Sequence, residues 1–491
     1  MIELRKAILA AMQSPSDELK KAGWDQSSSA TSGVTYYDLE AGAKLLYPVL
    51  TPLRNRIPRV SGKGGIQANW RAITGVNTAG VRVGLSSGNR NAVVTTSTKD
   101  YFAKYAEIGL DDYVTFAAEL AAAGFDDVKA LSVEGLLRAV MLGEEPLLLG
   151  GRASSGLGIT PTPTLATQTT GGTLAAATWS VICVALSLDG YLNGSINGGI
   201  QAEIARTNAD GSTDNFGGGA AQKSNNATIA TTGSTSTITG SVTPVTGAVG
   251  YAWFWGPAGA EVLGAITSIN SVSITAAATG TQTAASLPAA DWSNNSLVFD
   301  GILSQITAAG SNSYIATQAT GVAGTGTPLT GDGAGGVVEI ETALKTFWDT
   351  YRLSPTSIMV SSQEQKNISA KILAGSANAA QRFVFQESRD AVGGGVVVRS
   401  YLNKYALNGA KEIPIELHPN MPPGTILFYT DQIPYPLSNV RNVLQVRTRR
   451  EYYQIEWPLR SRKYEYGVYA DEVLQNYFPP AFGMINNIGN G

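Results

Sequence analysis

One segment of this chain is almost free of charge. Residues 153–298 contain eight charged side chains, whereas the other 345 residues contain 65. The segment is rich in Thr, Ser, Ala and Gly, and its strand-like runs are WSVICVALSL, IQAEIART, ATIATT, STITGSV, YAWFWG and SINSVSI. Several short strands at this spacing are typical of a β-sandwich. Because the composition changes sharply at both borders, we predict an all-β insertion within a larger protein.

The whole chain has 491 residues, too many for one compact core of ordinary size. A net charge of −3 shows no excess of basic residues of the kind that binds nucleic acid. One cysteine excludes an intrachain disulfide, and one histidine excludes zinc sites that need several imidazoles. No run of 18 apolar residues and no signal peptide occurs, so we expect a soluble protein made in a cytoplasm.

The sequence of the N-terminal part predicts an extended arm that needs another element to pack against. Residues 1–23 indicate a short amphipathic helix and a helix restart, and residues 24–58 look extended, with Pro48, Pro52 and Pro58 breaking any long helix. From Ser61 to Lys99, β-branched alternation predicts a two-stranded ribbon. An isolated ribbon of two strands is marginal in water, so we expect it to pack on a neighbour.

Helical spacing appears in the middle and towards the end of the chain. Asp111–Gly150 is predicted to be the main helical element, with a core stripe comprising Val128, Leu131, Leu136 and Val140. Further helices are predicted at Val337–Leu353 and in SSQEQKNISAKILAG. In REYYQIEWPL, alternation places Tyr453, Ile455, Trp457 and Leu459 on one face of a half-buried strand.

No pattern of catalytic or metal-binding residues stands out. His418 lies in a proline-flanked turn, where a surface or packing role is expected, and Cys183 lies in an apolar run and should be buried. Glu144 and Glu145 are interpreted as part of a solvated helix face. NADGSTDN, residues 208–215, is interpreted as a hairpin turn and not a calcium loop. We therefore predict a protein without catalytic residues, metal or cofactor.

The order of these parts resembles the major capsid proteins of tailed bacteriophages, the Hong Kong 97-type family. The segments that carry the resemblance are LTPLRNRIPRV, GEEPLLLGG, LVFDGILSQI, YRLSPTSIMVS, ELHPNMPPGTILFY and RKYEYGVYADEVLQNYFPPAFGMI. They are spread over most of the chain outside residues 160–290. Within the insertion, PVTGAVGYAWFWG is similar to a strand of immunoglobulin-like or fibronectin type III-like modules.

The resemblance implies an α+β capsid fold with an all-β immunoglobulin-like sandwich inserted on the outer face. The implied parts are an N-terminal helix and arm (1–58), an E-loop ribbon (59–104), a P-domain with the spine helix (105–155), the insertion (160–290), an A-domain (296–430) and a C-terminal return through the P-domain (431–491). The implied function is that of a virion subunit, assembled in the host bacterial cytoplasm, that forms hexamers and pentamers around packaged double-stranded DNA. Portal, scaffolding and cement proteins are the implied partners, beside further copies of the chain, with no sequence-specific nucleic acid binding and no membrane.

Charged side chains near the arm, ribbon and tail are candidates for contacts between subunits: Arg54, Arg56, Arg59, Arg82, Arg90, Arg460 and Arg462. In the type member of the resembled family, a ribbon lysine is joined to an asparagine of a neighbouring subunit. Here Lys63 and Lys99 stand at the two ends of the ribbon, with arginines nearer its tip, so no covalent cross-link is expected. An encapsulin-like compartment and a surface adhesin remain as alternatives, whereas a hydrolase lacks a nucleophile and base.

Overall fold

The computed structural model describes residues 50–62, 64–75, 83–90, 97–122, 127–373, 397–407, 409–433 and 441–490. The helices are α1 (Pro52–Arg56), α2 (Phe116–Ala122), α3 (Val128–Gly150), α4 (Leu188–Leu192), α5 (Ile302–Thr307), α6 (Val338–Tyr351) and α7 (Ser362–Leu373). The strands are β1 (Arg59–Ser61), β2 (Gln67–Gly75), β3 (Ser97–Lys104), β4 (Ala106–Thr115), β5 (Thr164–Gln168), β6 (Thr178–Leu186), β7 (Glu203–Thr207), β8 (Thr213–Gly217), β9 (Ala227–Ala230), β10 (Thr237–Ser241), β11 (Gly250–Gly256), β12 (Val262–Thr267), β13 (Ser271–Ile274), β14 (Tyr314–Thr317), β15 (Ser357–Val360), β16 (Ser400–Asn403), β17 (Lys411–Leu417), β18 (Ile426–Tyr429), β19 (Leu444–Glu456), β20 (Lys463–Asn476) and β21 (Gly483–Asn486). The predicted α+β class is confirmed. The N-terminal helix and most of the predicted arm lie outside the described residues.

The 23-residue helix α3 is the longest helix of the described chain. It begins after Asp127, whose side chain accepts a hydrogen bond from a first-turn backbone N–H at 3.1 Å and so caps the helix. Of the predicted core stripe, Val128, Leu136 and Val140 are buried and Leu131 is half-buried. The stripe therefore forms the core face, as predicted from its spacing.

The stretch that begins at Asp111 is not helical, and this part of the helix prediction was wrong. Residues Ala106–Thr115 form β4, which pairs antiparallel with β20 along its whole length. The ladder and the full burial of Val114 outweigh the weak helix preference of DDYVTF. The helical residues of the predicted element form two separate helices, α2 and α3, instead of one.

A four-stranded sheet in the order β1–β19–β20–β4 lies against α3. β1 runs parallel to β19, and the other pairs are antiparallel. Val114, Tyr466 and Val468 of the sheet pack with Val128 and Leu136 of the helix. This packing fixes one face of α3.

The predicted antiparallel strand is confirmed, and in it Tyr453 and Ile455 are less exposed than Gln454 and Glu456, but the predicted apolar face does not extend to Trp457 and Leu459. Tyr452 packs towards α3, while Tyr453 and Ile455 are half-exposed and Trp457 and Leu459 are exposed beyond the end of the strand. Two register shifts against β20 interrupt the regular alternation earlier in the strand. Since one extra residue reverses which side chains face inward, the strict period of two holds only from Tyr453 to Glu456, beyond these shifts.

The largest core surrounds a six-stranded mixed sheet in the order β14–β21–β18–β15–β17–β16, with α5, α6 and α7 nearby. Phe347 of α6 packs edge-on against Phe428 of β18, with ring centroids 5.7 Å apart. The last strand, β21, lies between β14 and β18. Residues from the end of the chain are therefore part of this core.

The low-charge segment forms a separate two-stranded sheet, β7–β8, and two larger sheets, β13–β10–β5 and β12–β11–β6–β9, that share a core. Trp253 and Cys183 of one sheet pack in the same cluster as Ile238, Val272 and Ile274 of the other. All six strand-like runs predicted from the sequence contain a strand. The two-sheet architecture agrees with the predicted β-sandwich, while its immunoglobulin-like identity stays a prediction.

The insertion is joined to the rest of the chain by packing and hydrogen bonds. Leu188 and Val249 belong to the large core cluster of the six-stranded sheet. The side chains of Asn270 and Asn487 are buried and bond to each other at 3.0 Å. The insertion is therefore less separate from the body than its composition suggests.

Candidate assembly surfaces and the arm anchor

A buried carboxylate of α3 holds the short helix α1. Pro52 occupies the first turn of α1, and Thr51 supplies no side-chain cap. Instead, Glu145 accepts hydrogen bonds from the backbone N–H groups of Leu53 and Arg54 at 2.8 and 2.9 Å. A negative side chain is favourable at the N-terminal end of a helix because the first N–H groups lack partners within the helix.

His418 completes the surroundings of Glu145. Its Nε2 lies 2.8 Å from Glu145 Oε1, and its Nδ1 accepts a hydrogen bond from Asn420 N at 3.2 Å. Because Nδ1 accepts, the proton of the neutral ring lies on Nε2, which donates to the carboxylate. His418 is buried and has the packing role that was one of its two expected roles.

Glu144 faces a second set of partners. Its carboxylate is paired with Arg54, at 3.3 Å from Nε, and with Arg59, and it accepts a hydrogen bond from the Tyr452 hydroxyl. Arg59 also donates to Glu472 of β20 at 2.7 Å. The prediction that Glu144 and Glu145 lie on a solvated face was wrong, since both side chains are fully buried. Paired charges and N–H donors offset the cost of burying them.

We call the body residues Glu144, Glu145, His418, Tyr452 and Glu472 the arm anchor, and residues 50–61 the arm segment. Burial and the neighbouring Glu144 carboxylate raise the pKa of Glu472 to about 7, although Arg59 opposes them. Burial, followed by Glu144, also raises the pKa of the Tyr452 hydroxyl. The anchor thus contains a carboxyl group whose pKa lies above its ordinary value.

Arg56 binds a separate part of the body. Its guanidinium group bonds to Asp431 at 2.8 Å and to Glu416 at 2.9 Å, and it lies 4.6 Å from the ring centroid of Tyr429. Burial lowers the pKa of Arg56, but Asp431 and Glu416 raise it overall. Together with Arg54 and Arg59, Arg56 therefore attaches the arm segment to its own chain. Contacts of these three arginines with another subunit stay a prediction.

The other arginines singled out from the sequence lie elsewhere. Arg90, Arg460 and Arg462 are exposed and form no ion pair within the described residues. Arg460 helps to lower the pKa of Asp210, although the hydrogen bonds from Ser212 are the larger cause. Arg82 lies outside the described residues. The exposed guanidinium groups are the ones still available for a partner.

The base of the ribbon packs on its own chain. β2 and β3 pair antiparallel, as predicted, and Ala68 and Ala72 are buried beneath them. Hydrogen bonds that join the ribbon to the body include Trp70 Nε1 to Asn476 O at 2.9 Å, Ile73 N to Tyr477 O at 2.9 Å, Asn312 Nδ2 to Thr74 O at 2.8 Å and Lys99 Nζ to Ala309 O at 2.8 Å. The chain itself supports this base, and the expectation that a neighbouring copy supports the ribbon stays a prediction.

Beyond that support, the ribbon presents apolar side chains to solvent. Ile66 is 80% and Phe102 is 73% exposed, and Val83 and Leu85 are also exposed. Single exposed apolar residues are ordinary on protein surfaces, but several within the predicted ribbon indicate a contact surface. We call these four residues the ribbon surface.

Neither of the two residues considered for chemistry in the sequence, His418 and Cys183, lies in a reactive environment. Cys183 is fully buried, and burial raises the pKa of its thiol well above the ordinary value. In the part of the chain that the structure describes, no group of three or more His, Cys, Asp or Glu side chains could hold a metal ion. Over the same residues, no helix is long and apolar enough to cross a membrane.

Comparison with known proteins gives matches in structure alone. No family model and no curated protein matches the chain. Three solved structures that match are the capsid of a native GTA particle (8% identity, 94% of this chain and 98% of the other, TM-score 0.39), the capsid of cyanophage A-1(L) (11%, 92% and 96%, 0.40) and the mature capsid of bacteriophage PhiM1 (9%, 96% and 97%, 0.33). All three are structures of capsids. All three TM-scores are below 0.5, so the backbones differ substantially despite the high coverage.

The arm anchor is the feature that sequence interpretation missed. The adjacent pair Glu144 and Glu145 is followed by Pro146 inside a helix, and three arginines lie close together in the arm segment. These sequence features indicate only that acidic and basic side chains could pair. Which carboxylate meets which cation depends on how α3, β20 and the arm segment pack, and no local pattern contains that information.

Proposed function

We propose that this chain is a structural subunit of an icosahedral bacteriophage head and that it assembles with further copies of itself. The ribbon surface is the observation that carries the proposal. Four large apolar side chains remain in water on an element whose base is already bonded to the body. Burying them against another copy would gain about 25 cal/mol for each Å² of apolar surface removed from water.

We expect that the ribbon surface contacts a surface of another copy that is apolar as well. Exposed apolar side chains also occur at Leu120, Trp457 and Leu459, around the four-stranded sheet. A ribbon that reaches a different surface of the next copy makes a head-to-tail contact, and such contacts close into rings or shells when the rotation between copies permits it. Hexamers and pentamers are the rings that an icosahedral head requires.

The finer parts of the proposal follow from the family resemblance and the charge. The subunits would enclose double-stranded DNA without gripping it, in keeping with a net charge of −3. Portal, scaffolding and cement proteins are the proposed partners, the assembled virion is the proposed location, and the host cytoplasm is the proposed place of assembly. We propose no enzymatic activity.

Electron microscopy of the purified protein tests this function against its alternatives. Closed icosahedral shells, with DNA when isolated from infected cells, are expected. Compartments that never contain DNA would favour the encapsulin-like alternative. Fibres or small oligomers would contradict a shell and favour an adhesin.

Two ribbon variants sharpen the test. Phe102→Ser removes apolar surface and should leave the stability of the lone subunit unchanged within about 0.5 kcal/mol, because Phe102 is exposed, while particle yield falls. Phe102→Tyr, which keeps the ring, is the matched control and should assemble normally. Normal shells from Phe102→Ser, and from a chain lacking residues 77–91, would contradict the role of the ribbon.

A further inference from the structure

One arginine of β19 is half-buried and lacks an acceptor. Arg447 forms no ion pair within the described residues, and its buried Nε has no hydrogen-bond partner among them. Arg449, two positions further along the strand, donates to Asp471 at 2.8 Å and to Glu107 at 2.7 Å, so these two carboxylates are already bound. Removing a charged group from water is costly unless it is paired, and an additional acceptor beside Arg447 would therefore be stabilising.

A glycine leaves space beside this guanidinium group. A Cβ atom at Gly62 would lie 3.5 Å from Arg447 Nε and 2.6 Å from the Tyr105 hydroxyl, so both groups border the same space. The same point lies 3.1 Å from the carbonyl oxygen of Thr448, which already accepts a hydrogen bond from Gly62 N at 2.6 Å. A guanidinium group can only donate and a phenol hydroxyl can donate as well, so the surroundings favour an acceptor.

A second donor without an acceptor lies on the same face of the sheet. The register of β19 and β20 makes Gln475 a diagonal neighbour of Arg447, because Gln475 lies opposite Gln445, and long side chains reach each other across such a diagonal. The fully buried Gln475 accepts hydrogen bonds at Oε1 from Gln445 Nε2 at 2.9 Å and from the Tyr477 hydroxyl at 3.2 Å, whereas its Nε2 has no partner among the described residues. Burial raises the pKa of the Tyr477 hydroxyl while the charge of Arg447 opposes this rise, so Arg447 acts on the same network.

We propose that Arg447 and Gln475 are the donors of a binding site for one oxyanion group, which is either the carboxylate of an acidic side chain of another copy or a free anion such as phosphate. A planar guanidinium group matches two oxygens of either ligand. The site lies where the ribbon base meets the sheet, since Trp70 Nε1 bonds to Asn476 O, next to Gln475. Because Arg447 is only half-buried, an anion can reach it from solvent. The first source rests on the proposed function, whereas binding of a free anion concerns the single subunit.

Titration of the purified subunit with sodium phosphate at constant ionic strength tests the site. The melting temperature should rise and then saturate, because a ligand that binds only the folded state stabilises that state. Arg447→Gln should weaken the apparent phosphate affinity on the order of tenfold, since a charged hydrogen-bond donor is lost. Arg450→Gln, which changes an exposed arginine of the same strand, is the matched control and should keep the wild-type affinity. No saturable rise in the wild type, or equal affinities for wild type and Arg447→Gln, would overturn the proposal.

A second variant covers the case in which Arg447→Gln does not fold, as circular dichroism would reveal. Gln475→Glu places a carboxylate diagonally opposite Arg447 and so supplies the acceptor from within the chain, while its oxygens can still accept from Gln445 and Tyr477. Its apparent phosphate affinity should also fall on the order of tenfold, because the site is then occupied by the chain itself. A folded Gln475→Glu subunit that binds phosphate as tightly as the wild type would contradict the proposal.

Assembly reactions distinguish the two sources of the anion. If an acidic side chain of another copy binds Arg447, saturating phosphate should compete with it and lower the yield of wild-type particles, and Arg447→Gln should lower the yield without phosphate. If a free anion is the ligand, phosphate should leave the wild-type yield unchanged. Should no particles form at all, the proposed function fails, while the titration of the single subunit still decides whether the site exists.

Discussion

Glu144 and Glu145 are adjacent in the sequence, but their carboxylates interact with different partners. Successive residues of an α-helix point about 100° apart, so one carboxylate faces β19 and β20 while the other faces α1 and His418. Both are buried at the point where α3, the arm segment and the loop after β17 meet. A pair of acidic residues that looked like a solvated helix face is therefore a structural junction.

Removing the Glu145 side chain should be strongly destabilising. Glu145→Ala would leave the N–H groups of Leu53 and Arg54 and the Nε2–H group of His418 without an acceptor in a buried site. We expect the free energy of unfolding to fall by about 3–5 kcal/mol, measured by urea denaturation. Glu134→Ala on an exposed face of the same helix is the matched control and should cost about 0–1 kcal/mol. Equal effects of the two substitutions would show that the junction contributes little.

At the scale of elements, α3 depends on a close backbone contact at its C-terminal end. Gly301 donates its N–H to Gly151 O at 2.8 Å. A Cβ atom at Gly301 would lie 2.7 Å from Gly151 N and 2.8 Å from Gly150 N, both of them backbone atoms that cannot rotate away. The chain leaves the insertion at this point, so the contact fixes where the insertion ends on the body.

Two glycine substitutions test that contact. Gly301→Ala should lower the free energy of unfolding by at least about 1–3 kcal/mol through overpacking. Gly143→Ala is the matched control, because nothing lies within 4 Å of a Cβ there and the site is helical. It should raise stability by about 0.5–1 kcal/mol, since alanine favours helix more than glycine does. Melting temperatures that shift in the same direction for both variants would contradict the contact.

At the scale of the whole molecule, the insertion has a core of its own and one side that packs on the body. Its two sheets share a core of their own, but Leu188 and Val249 pack in the large core of the body. Expressed alone, residues 157–293 should show β-type circular dichroism and cooperative melting. Replacing Leu188 and Val249 by serine should improve solubility of the fragment without lowering its melting temperature by more than a few degrees. A disordered spectrum would show that the body is needed for folding, and its outward position on a shell stays a prediction.

The assembled particle is expected to be held by non-covalent contacts. Lys99 stands at the base of the ribbon, where its Nζ already donates to Ala309 O at 2.8 Å, and Lys63 lies outside the described residues. Boiling in detergent should release one band near 51.3 kDa. A ladder of covalent multimers would contradict this prediction, and Lys63→Arg would then identify the lysine responsible.

Local patterns were sufficient for much of the fold. The strands of the insertion, the core stripe of α3, the hairpin turn between β7 and β8 and the burial of Cys183 agree with the sequence predictions. These features depend on apolar spacing and turn residues, which act over a few positions along the chain. The all-β character of the insertion follows from the same short-range information, whereas the α+β class, which the structure confirms, was implied by the family resemblance.

Tertiary structure alone decided the features that depend on distant partners. β4 is a strand because β20 pairs with it, and β19 turns Tyr452 inward because of register shifts against β20. Glu144 and Glu145 are buried because the arm segment and His418 provide N–H groups and cations from more than 80 residues away in the sequence. Pairing and burial of this kind are set by the packing of whole elements, so the residues concerned carry no local signal of their final environment.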